Sequence, residues 1–338
     1  MKILVTGGTG YIGSHTVVEL QNEGYEVLII DNLSNSSADV VNNIEKISGV
    51  KPYFHKIDLC DRKALEEFFA DQKDITAVIH FAAFKAVGES VNDPLMYYHN
   101  NVTGMVNLLQ EIQKNSINKF VYSSSCTVYG EADKLPVTEN SPVKKAESPY
   151  GFTKQIGEQM LFDISKISEL NSIVLRYFNP TGAHDTSLIG ELPIGIPNNL
   201  VPYITQTAIG KREMLTVNGN DYDTPDGTNI RDYIHVVDLA KAHVLALKRM
   251  EDKKAETQIE VFNLGTGNGN SVLEVINSFE NVTGLKLNYK IGPRRGGDVV
   301  SIFSDTKKAN EVLGWKAERD LDDMMLTSWN WQKRIGKD

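Results

Sequence analysis

Two residues one helical turn apart have the types and spacing to move a proton. In Ser148-Pro149-Tyr150-Gly151-Phe152-Thr153-Lys154, Pro149 suits the first turn of a helix, and the i, i+4 spacing puts Tyr150 and Lys154 on one face. A phenol titrates near pH 10 in water and is a poor base at neutral pH. An ammonium beside it, together with a cationic cofactor ring, would favour the phenolate and make it a usable base. Taken alone, the pair reads better as a surface lysine one turn from a helix-start tyrosine, because Tyr-x-x-x-Lys is common. The balance shifts with Ser123-Ser124-Ser125-Cys126-Thr127-Val128-Tyr129-Gly130, which follows the apolar run Phe120-Val121-Tyr122. A hydroxyl at the end of a buried strand can point into the same cleft and relay a proton to the phenolate.

The N-terminal residues indicate what such a base would serve. Gly7-Gly8-Thr9-Gly10-Tyr11-Ile12-Gly13 follows Ile3-Leu4-Val5 and opens a helical pattern. Gly7 allows a tight turn, Gly10 lets backbone approach a pyrophosphate, and Gly13 lets helix and strand pack closely. The helix N-terminus then offers free N–H groups and a positive dipole end to the phosphates. Asp31 ends the second apolar run, where a carboxylate accepts hydrogen bonds from ribose hydroxyls and repels a 2′-phosphate. NAD is therefore expected rather than NADP. Asp58-Leu59 suits either the adenine edge or the cap of the next helix. Small residues in Phe81-Ala82-Ala83-Phe84-Lys85 let the chain lie against the cofactor. Arg231 and Arg295 read as loop cations suited to a diphosphate, although either one alone would be an ordinary surface ion pair.

Holding these groups together requires a layered frame. The runs Ile3-Leu4-Val5, Val27-Leu28-Ile29-Ile30, Ala77-Val78-Ile79-His80-Phe81, Phe120-Val121-Tyr122 and Ile173-Val174-Leu175-Arg176 read as buried strands. Tyr53-Phe54-His55-Lys56-Ile57 is less apolar and belongs nearer an edge. Helical patterns lie between them at 11–23, 62–70, 95–114 and 150–166. The alternation predicts an α/β fold, a Rossmann-type doubly wound parallel sheet whose ligands sit beyond the C-terminal ends of the strands. After about Asn179 the chain turns rich in Gly, Pro and Asn. It regains order with helices at 237–249, 272–279 and 306–313 and a strand at Glu260-Val261-Phe262. Residues 1–178 are expected to form the NAD-binding domain, with a segment near 230–264 packing back onto it. Residues 179–338 are expected to form a smaller α/β substrate-binding domain.

The 338 residues carry a net charge of −9 with no basic stripe, so neither nucleic acid nor a membrane surface is an expected partner. No apolar run approaches the roughly 20 residues of a membrane span. Two cysteines, Cys60 and Cys126, are too few for a disulfide framework and point to the cytoplasm. No metal site is expected.

The glycine turn, the serine-rich strand end and Tyr-x-x-x-Lys together resemble the extended short-chain dehydrogenase/reductase superfamily. Further segments are similar to the UDP-galactose 4-epimerase family in particular. These are Leu175-Arg176-Tyr177-Phe178-Asn179-Pro180 with Gly182-Ala183-His184; Pro197-Asn198-Asn199-Leu200; Gly219-Asn220-Asp221-Tyr222 through Asp226-Gly227-Thr228; and Arg231-Asp232-Tyr233-Ile234-His235. The resemblance runs over essentially the whole chain in the family's order. It implies Ser125, Tyr150 and Lys154 as catalytic residues. It implies cofactor contacts at Tyr11, Ile12, Asp31, Asn32, Asn35, Asp58, Leu59, Phe81, Lys85, Asn100 and Phe178, beside Tyr150 and Lys154. It implies substrate contacts at Asn179, Asn199, Leu200, Arg231, Arg295 and Asp298, beside Ser125 and Tyr150.

The reaction so implied interconverts UDP-galactose and UDP-glucose. Bound NAD oxidises C4, the 4-keto sugar rotates, and hydride returns to its other face. Ile302 occupies a position where the family carries a bulky aromatic for plain hexoses or a small residue for N-acetylated ones. Isoleucine lies between, so action on N-acetylhexosamines stays open. Cys126 stands where alanine is frequent, with little consequence expected. A 4,6-dehydratase would need an acid and a base beside the serine, where Cys126-Thr127-Val128 offers none. A non-catalytic NAD-binding relative would have no need of the base. Relatives pair helices like 95–114 and 150–166 into a homodimer; the alternative is that both simply cover the sheet.

Overall fold

The computed structural model describes residues 1–296 and 299–336. Seven strands form one parallel sheet: β1 (Lys2–Thr6), β2 (Glu26–Asp31), β3 (Tyr53–Lys56), β4 (Ile75–His80), β5 (Lys119–Ser125), β6 (Asn171–Tyr177) and, much later in the chain, β10 (Ile259–Leu264). Their order is β10-β6-β5-β4-β1-β2-β3. The order reverses between β1 and β4, and the crevice above that switch point is where such sheets take ligands. The glycine turn after β1 and the Phe81 segment after β4 border it.

Helices cover both faces. α1 (Tyr11–Asn22), α2 (Asp39–Ser48) and α9 (Val236–Glu251) lie on one; α3 (Arg62–Asp71), α6 (Gly104–Lys114) and α7 (Pro149–Ser165) lie on the other. Alternate strand residues separate accordingly. Ile3, Val5, Ile29 and Ile79 join the first core, and Leu4, Leu28, Ile30 and Val78 the second. The near-continuous apolar runs of the sequence are thus strands buried on both sides.

α4 (Val87–Asn92) and α5 (Pro94–Tyr97) are short, and a π-helical turn (Tyr98–Thr103) joins α5 to α6. The single helix expected over 95–114 is therefore interrupted by this widened turn, which carries Asn100 and Asn101. The serine triplet also differs from expectation. It does not follow the fifth strand but completes it, because parallel pairing with β6 continues through Ser123↔Leu175, Ser124↔Arg176 and Ser125↔Tyr177.

The remaining residues build a smaller α/β layer. β7 (Asn179–Thr181), β9 (Ile230–His235), β11 (Gly269–Ser271) and β13 (Ser301–Ile302) form one sheet, with β9 pairing all three others. β8 (Leu215–Asn218) and β12 (Tyr289–Gly292) pair separately. α8 (Leu200–Ala208), α10 (Val272–Thr283) and α11 (Leu321–Ile335) surround a third core containing Ile204, Val217, Tyr233, Phe279 and Met325. Arg231 lies on β9, not in a loop: Ile230 to His235 is extended chain that pairs with three neighbouring strands. α2, α8 and α11 were not expected from the sequence. Val40, Val41, Ile44 and Ile47 were a readable helical stripe for α2, and Pro202 disguised α8 among its loop-like neighbours.

Candidate active site

α7 starts on a strong local signal. Ser148 caps it by accepting from the Gly151 N–H (3.1 Å), and Pro149 occupies the first turn. The i, i+4 spacing then carries Tyr150 and Lys154 inward, where both are buried. Ser125 ends β5 and caps the 3₁₀ turn Cys126–Tyr129 by accepting from the Thr127 N–H (3.2 Å). The three serines have separate partners. Ser123 Oγ hydrogen-bonds with the Tyr177 hydroxyl (2.6 Å), and Ser124 Oγ donates to Glu158 (2.5 Å). Ser125 is the one that meets the Tyr150 phenol.

The electrostatics of this trio differ from the simple expectation. Lys154 Nζ donates to the Ser123 carbonyl (2.7 Å) and lies 5.9 Å from the Tyr150 ring centroid, over its face. Burial, supported by the neighbouring Tyr177, holds the Tyr150 phenol well above its usual range, against a hydrogen bond with Ser125. The expected lowering of the phenol is not met in the protein alone, where desolvation dominates. Burial also pulls Lys154 down to about 8, opposed by the charge of Glu158. A further positive charge near the phenol would lower its pKa.

Behind the trio lies an interlocked set that sequence reasoning missed. Glu158 binds Arg176 through both oxygens (2.9 and 2.6 Å) with each side chain about 5% exposed. Arg176 donates to Tyr129 (3.1 Å), whose hydroxyl donates to Asn263 (2.6 Å). The readable signal was spacing: Glu158 repeats the Tyr150, Lys154 interval on the same buried helix face. Asn101, next to the expected Asn100, was likewise missed. It accepts from the Phe84 N–H (2.9 Å) and donates to Thr153 (3.1 Å), joining the loop after β4 to α7.

The cofactor side is shaped by the glycine turn. Gly7 has φ +74°, and a Cβ there would lie 2.7 Å from Ala82 N. A Cβ on Gly13 would lie 2.2 Å from Gly7 O, so α1 can pack on its own turn only with glycine there. α1 has neither a side-chain cap nor an acid in its first turn. Asp31 accepts from the Thr9 N–H (3.2 Å), the Leu33 N–H (2.9 Å) and Ser36 Oγ (3.2 Å), which seats its carboxylate beside the turn. Asn32 donates to Asp58 (2.9 Å); burial would raise that carboxyl, but bonds from Asn32 and Cys60 hold it below its usual range. Asp58 is not the helix cap, since Asp61 takes that place by accepting from the Ala64 N–H (3.1 Å).

Leu59 and Phe178 are buried, Ile12 and Phe81 half-buried, and Asn35 exposed. The Phe81 ring lies 4.6 Å from His243, and Asn100 donates to Asn101 (2.9 Å). Lys85 reaches across to Glu191 (2.7 Å).

These residues fit a dinucleotide. The helix end is uncapped, the Cβ position of Gly10 meets nothing nearer than Gly7 O at 3.2 Å, and the Lys154 ammonium has donors beyond the one given to Ser123.

The second layer supplies the facing wall. Asn179 lies on β7, and Leu200 begins α8 directly after Asn199, which donates to Glu191 (2.7 Å). Arg231 donates to the Ile230 carbonyl (2.8 Å), and its charge favours the thiolate of Cys126, whose pKa burial raises to about 12. β9 is anchored by Asp232, a fully buried carboxylate that accepts from Thr266 N and Oγ1 (both 2.8 Å) and from Ser304 N (3.0 Å) and Oγ (2.6 Å). Ile302 pairs with Arg231 and is buried with Cys126, Val128, Tyr129 and Phe178. Arg295 is exposed in the segment after β12, and Asp298 lies outside the described residues.

A doubly wound sheet with a glycine turn at its switch point and a Ser, Tyr, Lys trio near the end of β5 defines a dinucleotide-dependent class of enzyme. Residues 3–265 match the NAD dependent epimerase/dehydratase family, and the chain belongs to it. Among curated relatives, it is 52% identical over 333 residues to UDP-glucose 4-epimerase of Bacillus subtilis (strain 168), covering 98% of this chain and 97% of that one. It is 51% identical over 338 residues to UDP-glucose 4-epimerase of Haemophilus influenzae, covering 100% and 99%. Among solved structures, UDP-glucose 4-epimerase from Bifidobacterium longum in complex with NAD+ and UDP superposes with a TM-score of 0.94. That protein is 46% identical, with 99% of this chain and 98% of that one covered.

Proposed function

We propose that this chain interconverts UDP-galactose and UDP-glucose by reversible oxidation at C4. The observation that carries the reading is the meeting of Ser125, Tyr150 and Lys154 at the end of β5, beside a glycine turn built for a dinucleotide, in a chain about half identical to UDP-glucose 4-epimerases along its whole length. NAD, when bound, would supply a reversible hydride acceptor and a positive charge to this site. Tyr150 takes the C4 hydroxyl proton, directly or through Ser125, and gives it back after the 4-keto sugar has turned. Lys154 favours the phenolate and offers donors to the cofactor ribose. Asn179, Asn199, Leu200, Arg231, Arg295 and Asp298 hold the UDP end while the sugar turns. Gly7, Gly10, Tyr11, Ile12 and Gly13 receive the pyrophosphate, and Asp31 the adenosine ribose. Asn32, Asn35, Asp58, Leu59, Phe81, Lys85, Asn100 and Phe178 complete the cofactor's walls. Burial of the trio keeps water from the keto intermediate.

The domain division belongs to the same reading: residues 1–178 with the returning segment near 230–264 bind NAD, and residues 179–338 bind the UDP-sugar. A homodimer is supported by Leu95, Val106, Phe152 and Phe162, large apolar side chains exposed on α5, α6 and α7. A cytoplasmic setting agrees with two free cysteines, and no helix among the described residues is long and apolar enough to cross a membrane.

The direct test is to incubate the purified protein with UDP-galactose, without added NAD, and identify the sugar formed. UDP-glucose is expected, and C4 deuterium in the substrate is expected to survive in it. Complete loss of that label to solvent would exclude hydride storage on the enzyme. Running UDP-N-acetylgalactosamine alongside decides whether Ile302 admits N-acetylated sugars.

A further inference from the structure

Glu191 lies in the Gly- and Pro-rich stretch between β7 and α8. Three neighbours, Leu192, Ile194 and Ile196, are turned out to solvent, yet the Glu191 side chain is only 13% exposed. It is held there from several sides. The Trp331 indole donates to its carbonyl (2.8 Å). Gly190 lies so close to the same indole that a Cβ would be 2.6 Å from the ring, and it forms a bridge with Ala183. The Tyr11 ring closes the cofactor side, its hydroxyl donating to Gly182 O (2.6 Å) and the Lys85 ammonium lying 5.8 Å from its centroid.

One oxygen of this carboxylate does two things. Glu191 Oε1 accepts from Lys85 Nζ (2.7 Å), on the loop after β4, and from Asn199 Nδ2 (2.7 Å), at the start of α8. Lys85 stands among the proposed cofactor contacts and Asn199 among the proposed substrate contacts. The geometry points to Glu191 as a positioning residue that clamps the mouth of the cleft, tying the cofactor side to the nucleotide-sugar side; this rests on the function proposed above. Holding the Asn199 amide by its nitrogen leaves its oxygen orientated for a ligand, and pairing with Lys85 cancels a negative charge that would repel a diphosphate. Both effects are preorganisation, which appears in binding and not in the chemical step.

The test compares wild type, Glu191→Gln, Glu191→Ala, Lys85→Met and the Glu191→Ala/Lys85→Met double variant. It uses calorimetric affinity for UDP, with kcat and KM for UDP-galactose. Glu191→Ala is expected to weaken UDP binding and raise KM about tenfold, the scale of one charge-assisted hydrogen bond, with kcat within about twofold. Glu191→Gln keeps an acceptor for Asn199 but loses the charge, and should fall between. With Lys85→Met already present, Glu191→Ala should cost clearly less than it does alone. Unchanged or tighter UDP binding in Glu191→Ala overturns the clamp. So does a fall in kcat without a change in affinity, or the same factor in both backgrounds. If Glu191→Ala does not fold, Glu191→Gln against Lys85→Met gives the same cycle. Wild type that binds no UDP or leaves UDP-galactose unchanged would instead overturn the proposed function.

Discussion

At the back of the cleft Lys154 is 4% exposed and reaches a backbone carbonyl, with a fully engaged carboxylate one helical turn behind it. At the mouth the Lys85 side chain is 47% exposed and pairs with an acid from a long loop. The back is built on strand ends and one helix face, where Ser123, Ser124, Glu158 and Arg176 are each held by a neighbour and burial, more than any single charge, sets the protonation states of Tyr150 and Lys154. The mouth is built on glycine, proline and asparagine, where charges are partly hydrated and pairs can be exchanged for ligand. Chemistry that needs fixed atoms belongs in the first setting, and capture and release of a charged substrate in the second.

If that contrast holds, changes at the back should act on rate or folding, and changes at the mouth on affinity. The largest effect is expected for Tyr150→Phe, which should lower kcat about a thousandfold while bound NAD and the melting temperature stay near wild type. Absorbance of the retained cofactor and calorimetric melting provide the controls. Turnover that persisted would break the assignment of the base, and would favour a different proton carrier over the phenol.

Glu158→Ala should cost about 3–5 kcal/mol in urea denaturation, because it leaves Arg176 charged and buried without its partner. Replacing both Glu158 and Arg176 by methionine should recover most of that loss. If the single variant were as stable as wild type, the back of the cleft would be looser than described.

The seam between the two layers carries a pH prediction. Burial depresses His15 and His235 to about 3. The unfolded chain therefore takes up protons near pH 6.5 that the folded protein refuses. Stability should be full above about pH 6.5 and fall as the pH drops toward 3, by up to roughly 1.4 kcal/mol per pH unit for each histidine. Denaturation at pH 7, 6 and 5 measures the slope, and His15→Asn should make it shallower. The smallest expected effect is at Ile302. Ile302→Ala should raise the preference for UDP-N-acetylgalactosamine over UDP-galactose about tenfold in kcat/KM, if the wall it forms with Cys126 and Phe178 limits the sugar.

Local geometry explains what was legible without a structure. The glycine spacing fixes a turn before a helix, the i, i+4 interval fixes a shared face, and apolar runs bounded by turns mark strands buried on both sides. Those rules depend only on neighbours in the chain, and they located the sheet, the turn and the helix that carries Tyr150 and Lys154. Which of three adjacent serines meets the phenol was not readable from residue types. It was settled when Tyr177 and Glu158 arrived from β6 and α7 to occupy the other two. The Glu158–Arg176 pair, the Asp232 hub and the Glu191 contacts join residues far apart in sequence, so no local spacing announced most of them. Even the protonation of Tyr150 was a tertiary matter. A sequence shows a cation one turn away, but only the folded interior shows how little water is left to solvate the phenolate.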